Sequence, residues 1–151
     1  MTEITGTVPP HSARILLADD NEATAAAVTR FLEDEKFRVV AVVRDGNELL
    51  KEAGSLLPDV VVADILMPEM NGLDATARLK ETNCATKVVI LTAHEEPEFV
   101  QAAIAAGACG YVLKHRLVYD LPKAIELALR GEQFFSSALT SPPNRPETSG
   151  T

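Results

Sequence analysis

Three carboxylates, one hydroxyl and one amine stand out because each closes or follows a short apolar run. Asp19 and Asp20 follow RILLA (14–18), Asp64 ends VVVAD (60–64), Thr92 ends KVVILT (87–92), and Lys114 ends GYVLK (110–114). A lone Asp at a strand end ordinarily caps the next helix, and a Thr or Lys there is ordinarily just leaving the core. Asp19 beside Asp20 is harder to place, because neighbouring carboxylates at a cleft need a compensating cation. Clustered carboxylates with few aromatic or thiol neighbours form a hard oxygen site, suited to Mg²⁺ or Mn²⁺. Mg²⁺ takes one or two carboxylates and leaves room for water and a phosphate oxygen. One carboxylate of such a set can then attack phosphorus and form an acyl phosphate. The lysine would supply a second positive charge for the equatorial oxygens, and the threonine hydroxyl would donate to one of them.

The elements that must bring these groups together are legible as a repeat. With RVVAVV (38–43) there are five apolar runs, rich in Val, Ile and Leu and without polar alternation. Such runs suit strands buried on both faces of a parallel sheet. Between them the spacing is helical. Ala25, Val28, Phe31 and Leu32 share a face, as do Leu49, Leu50, Ala53, Leu56 and Leu57 after an Asp45 cap. Leu73 and Ala77 follow Asn71-Gly72; Phe99, Val100, Ala103 and Ile104 follow Pro97 and stop near Gly107; Leu121, Ile125, Ala128 and Leu129 follow Asp120 and Pro122. Acidic or polar caps, an early Pro and a late Gly are the expected punctuation. Five strand–helix units predict an α/β protein with right-handed crossovers. The expected fold is a doubly wound, five-stranded parallel sheet of order 2-1-3-4-5, flavodoxin-like (βα)5. In that order the first, third, fourth and fifth strands are contiguous, so Asp19, Asp20, Asp64, Thr92 and Lys114 converge on one edge.

The 151-residue chain suggests one domain, 46% apolar and 24% charged. A net charge of -8 and a pI near 4.8 argue against direct nucleic-acid binding or attachment to an anionic membrane. Cys84 and Cys109 form no CxxC pattern and read as reduced thiols, which points to the cytoplasm. No apolar stretch is long enough to span a membrane, and the start lacks the pattern of a signal peptide. Residues 1–12 and 141–151 are Pro-rich and aperiodic, and His11 reads as a solvated tail residue. The expected organisation is a disordered lead over 1–12, a folded domain over 13–131, and a linker-like, mostly disordered tail over 132–151.

The motifs LLADDNE, VVVADILMPEMNGLD, VVILTAHEE and GACGYVLK, in this order, resemble the receiver domain of two-component response regulators. The likeness covers about residues 13–131, of the CheY-like kind and the NarL/FixJ-like subgroup. It implies that Asp64 accepts a phosphoryl group from a phosphohistidine of a sensor histidine kinase, in a transfer that the receiver itself catalyses. Asp20 would bind Mg²⁺ directly, Asp19 would orient metal-bound water, and the backbone carbonyl of Leu66 would be the third protein ligand. Lys114 would bridge the acceptor and the phosphoryl group. Thr92 would be the switch hydroxyl, with small Ala93 beside it, and Tyr111 the switch aromatic whose ring turns inward when Thr92 shifts. Met67-Pro68 and Gly72 resemble the loop that follows the acceptor, with Gly72 allowing tight entry into the third helix. Phosphorylation would remodel the face of the fourth helix, fifth strand and fifth helix, for a partner or a homodimer.

Two features depart from the pattern or extend it. His115 follows Lys114 where the family commonly has proline, so this peptide bond should be trans, since a non-proline cis bond costs roughly 2.5–4 kcal/mol. RGEQFFSSALT (130–140) resembles the stretch that leads into a helix-turn-helix domain in NarL/FixJ-like regulators. The chain is therefore expected to be a stand-alone receiver or a fragment of a transcriptional regulator. Phe134 and Phe135 would pack back on the body or sit at a dimer contact, with packing the better reading. Three other readings compete: a pseudo-receiver that uses its surface without phosphorylation, a flavodoxin-like cofactor binder and a metal-dependent phosphohydrolase. Asp19-Asp20-Asn21-Glu22 would repel the phosphate of a flavin cofactor, and Asp64-Ile65-Leu66 lacks the second Asp of an Asp-x-Asp hydrolase. A pseudo-receiver would be expected to have lost an acidic or lysine position, and all are present.

Overall fold

The computed structural model describes residues 12–83 and 85–136. Most of the expected lead, Cys84 and positions 137–151 of the tail lie outside those residues. The five apolar runs become β1 (Arg14–Ala18), β2 (Arg38–Val43), β3 (Val60–Ala63), β4 (Lys87–Thr92) and β5 (Gly110–Leu113). The helices between and after them are α1 (Glu22–Asp34), α2 (Gly46–Leu56), α3 (Gly72–Thr82), α4 (Pro97–Ala106) and α5 (Leu117–Leu129). All strand pairs are parallel, in the order 2-1-3-4-5, and a two-residue strand, β6 (Phe134–Phe135), extends the expected five-stranded sheet beyond β5.

Two cores account for the apolar interiors of β1, β3, β4 and β5, while β2, at the sheet edge, is only partly covered, with Val42 45% exposed. On one face Leu16, Val61, Val88, Ile90, Tyr111 and Leu113 pack with α2, α3 and α4. On the other, Ile15, Leu17, Val62, Leu91 and Val112 pack with α1 and α5. Every β3 residue is fully buried, as a central strand covered on both faces must be.

Helix boundaries follow local chemistry. The side chains of Asn21, Asp45 and Asn71 accept hydrogen bonds from the backbone N–H groups of Thr24, Glu48 and Asp74, capping α1, α2 and α3. α4 begins at Pro97 and ends at Gly107, whose φ of +102° is the left-handed conformation that suits a helix end. One expectation is incomplete and one needs correction. The fully buried face of α3 is Gly72, Ala75, Thr76 and Leu79, with Leu73 half-buried against the same core and Ala77 at its margin. α5 starts at Leu117, ahead of Asp120 and Pro122, because a 3₁₀ turn at Lys114–Arg116 feeds it directly. Asp120 is buried within this helix and accepts from the Arg116 guanidinium at 3.0 Å. The Lys114–His115 bond is trans, as are all described peptide bonds.

Candidate functional site

The site lies where β1, β3, β4 and β5 end. Backbone pairing carries just past the strands and fixes the two acids: Asp19 N donates to Val43 O at 3.0 Å, and Asp64 N donates to Ala18 O at 3.0 Å. Asp19 is nearly buried, and its Oδ1 accepts from Asn21 N at 2.9 Å, so one carboxylate oxygen is tied to the start of α1. Asp64 Oδ1 accepts from Ile65 N at 2.7 Å. The remaining oxygen of each acid faces the same amine. Lys114 Nζ donates to Asp64 Oδ2 at 2.8 Å and to Asp19 Oδ2 at 3.0 Å. Burial lowers the affinity of this amine for its proton, but hydrogen bonds and charge from Asp64 and Asp19 outweigh that and hold the Lys114 pKa above its ordinary value.

The neighbouring residues are distributed unequally. Asp20 is exposed and stands outside the hydrogen bonds of Lys114. The adjacent acids are therefore not equivalent: one is built into the scaffold and the other faces solvent. Leu66 is 52% exposed, whereas Ile65 and Met67 on either side are buried. Thr92 is fully buried, and its hydroxyl accepts a long bond of 3.4 Å from His94 N. Tyr111 is fully buried and donates from its hydroxyl to His94 O at 2.8 Å. Its ring is already inward, where the sequence suggested an inward turn on a Thr92 shift. Burial, then the charges of Glu96 and Asp64, push the phenol above its ordinary value of 10.0.

The loop after Asp64 is pressed against the end of β3. Gly72 N donates to Ile65 O at 2.7 Å, and a Cβ at Gly72 would sit 1.9 Å from Asp64 O. Glycine is required there for space. Gly46 makes a second close approach, donating to Met70 O at 3.0 Å, with room for no Cβ. Between them Glu69 adopts a left-handed φ of +69°, an unfavourable conformation for a residue with a side chain. One contributor escaped sequence reading. Ser136 is fully buried, its Oγ accepts from Leu113 N at 3.0 Å, and its own N–H donates to Tyr111 O at 2.9 Å. The only signal was the Phe134-Phe135 pair before it.

Among the described residues, no group of three or more His, Cys, Asp or Glu side chains is arranged to hold a metal ion. The donors that do meet, Asp19 and Asp64, are carboxylates with Asp20 adjacent in sequence. An oxygen-only set with one or two carboxylates fits Mg²⁺, which retains much of its water.

A parallel sheet of this order, with acids after β1 and β3 joined through a lysine after β5, defines a signal-receiver fold. Residues 15–126 match the response regulator receiver domain family, and the chain belongs to that family, in its NarL/FixJ-type branch. It is 37% identical over 124 residues to the response regulator GacA of Pseudomonas viridiflava, covering 82% of this chain and 58% of the relative. It is 35% identical over 128 residues to the transcriptional regulatory protein YvfU of Bacillus subtilis, covering 84% and 64%. The chain thus spans about three-fifths of the length of these curated relatives. A LuxR-family two-component response regulator from an Aurantimonas species superposes with a TM-score of 0.82 at 32% identity, covering 85% of this chain and 93% of that one. The receiver domain of NarL from Mycobacterium tuberculosis gives 0.76 at 30% identity, covering 80% and 98%. Among the described residues, no helix is long and apolar enough to cross a membrane.

Proposed function

We propose that this receiver is a phosphorylation-activated switch whose acceptor is Asp64. The observation that carries this reading is the ammonium of Lys114 held between Asp64 and Asp19 at 2.8 and 3.0 Å. The donor would be the phosphohistidine of a sensor histidine kinase, met in the cytoplasm. A carboxylate oxygen of Asp64 forms a bond to phosphorus as the P–N bond breaks, and the imidazole leaves with that electron pair. Lys114 neutralises charge on the moving oxygens, and the Thr92 hydroxyl donates to one of them. Asp19, Asp20, Asp64 and the Leu66 carbonyl would hold Mg²⁺ or Mn²⁺, which supplies further positive charge to the phosphoryl group. The same residues would serve the slower attack of water on the aspartyl phosphate. The product would shift an existing equilibrium through Thr92 and Tyr111 toward a changed α4–β5–α5 face, for a partner or for a second copy of the chain.

Incubation with Mg²⁺ and acetyl phosphate or phosphoramidate, followed by intact mass, tests this. The expected result is a gain of one phosphoryl group that vanishes in Asp64→Ala. No gain at any Mg²⁺ concentration would favour the pseudo-receiver. A second reading rests on coverage: because the curated relatives are longer, the chain also suits the receiver portion of a helix-turn-helix transcription regulator.

A further inference from the structure

β6 does more than lengthen the sheet. Phe134 N donates to Cys109 O at 3.0 Å, and Ser136 N donates to Tyr111 O at 2.9 Å, so this short strand occupies the outer edge of β5. The two rings straddle that edge: Phe135 packs with the core that holds Tyr111 and Leu113, and Phe134 with the opposite one. Directly after this strand comes Ser136, whose buried hydroxyl is the acceptor for Leu113 N at 3.0 Å. Leu113 is the residue before Lys114. The N–H of Leu113 would otherwise be a buried donor at the end of an edge strand, which is costly to leave unpaired. One serine therefore holds the backbone beside both the tyrosine and the lysine of the site, from a stretch that follows α5.

We propose that Ser136 is a positioning residue for phosphoryl transfer: docked β6 sets the backbone from which Lys114 reaches Asp64. This rests on the function proposed above. It also implies reciprocity. If docking strengthens the hold on a phosphoryl group, a phosphoryl group must strengthen docking by the same factor. The end of the receiver would then report the state of Asp64 through the same strand that carries Lys114.

The test uses the full 151-residue chain. Ser136→Ala should take phosphoryl from acetyl phosphate and Mg²⁺ about fivefold or more slowly, while Ser136→Thr, which keeps the acceptor oxygen, should restore most of the rate. In the wild-type chain, Mg²⁺ with beryllofluoride should slow hydrogen exchange at Leu113, Phe134 and Ser136; this arm needs no variant to fold. A wild-type rate in a folded Ser136→Ala, or a Thr variant as slow as Ala, overturns the proposal, as does unchanged exchange with beryllofluoride bound. If the wild type takes neither phosphoryl nor beryllofluoride, the switch reading fails instead. The ¹⁵N ammonium signal of Lys114 then decides the positioning role: it should move in Ser136→Ala and return in Ser136→Thr, and an unmoved signal overturns that role.

Discussion

The two ends of the sheet use the same residue types in opposite ways. At the N-terminal ends of the strands, Asp59 Oδ2 accepts from Arg14 N, and Arg14 Nη1 donates to the carbonyls of Leu56 and Leu57. The backbone joins the same residues, with Asp59 N donating to Arg14 O. There the charged side chains are bound to main-chain groups that cannot leave. At the C-terminal ends, Lys114 is bound instead to two side-chain carboxylates, which on the function proposed would hold a metal ion and, at Asp64, a phosphoryl group. An acid and a base near each other are therefore not enough to mark a site. What distinguishes the C-terminal end is that its charged groups are bound to side chains, which on the function proposed are exchangeable.

The largest test of this contrast is Lys114→Met. It should slow phosphorylation of Asp64 by about 10²-fold or more, as loss of a transition-state charge partner does, with the rate read by intact mass against time. Asp59→Ala should do the reverse. Stripping the acceptor from Arg14 N should cost about 1–3 kcal/mol in urea unfolding and leave the phosphorylation rate unchanged. A slowed rate in Asp59→Ala would mean the two ends are not independent. Within the C-terminal end, we expect exposed Leu66 to obstruct in-line water, so Leu66→Asn should shorten the aspartyl-phosphate lifetime by roughly threefold, about 0.6 kcal/mol. An equal lifetime would remove Leu66 from the mechanism.

The smallest effect is on stability in alkali. Lys114 and Tyr111 both hold their protons more tightly in the folded chain, above the ordinary values of 10.5 and 10.0. The folded state therefore binds more protons than the unfolded one once pH passes those values. Stability from both groups is complete below about pH 10 and should decline as pH rises toward their folded-state pKa values. Denaturant midpoints from pH 9 upward, on the wild type and Tyr111→Phe, check this. The variant should show the shallower decline, and a steeper one would contradict the assignment.

Much of the architecture was legible because a central parallel strand must be apolar on both faces. The runs at 14–18, 38–43 and 87–92 coincide with β1, β2 and β4, and those at 60–64 and 110–114 lose only the terminal Asp64 and Lys114. The meeting of Asp19, Asp64 and Lys114 follows from strand order alone. The unequal roles of Asp19 and Asp20 do not, because they depend on which carboxylate meets Asn21 N and the Lys114 amine. That asymmetry gives Asp19 a duty in the fold as well as in the site, through Asn21 N and the Lys114 amine. Only Asp20 is free of such duties among the described contacts. The α3 face was read only in part because three of its four buried positions are small or polar, Gly72, Ala75 and Thr76 beside Leu79, while Leu73 packs on the core half-buried. β6 was missed because two residues carry no periodicity, and Ser136 because a serine in a polar tail gives no sign of burial.

The close approach of Gly72 to Asp64 has a mechanical consequence. On that side Asp64 is backed by main chain, with Gly72 N on Ile65 O at 2.7 Å and Gly46 N on Met70 O at 3.0 Å. On the other side stand a hydroxyl at 3.4 Å from its donor and a tyrosine held by one hydrogen bond. The pocket is a vise with one fixed jaw and one sliding jaw. On the function proposed, the main chain behind Asp64 would stay fixed while the Thr92 and Tyr111 side chains adjust, so the glycines would set the direction of the response.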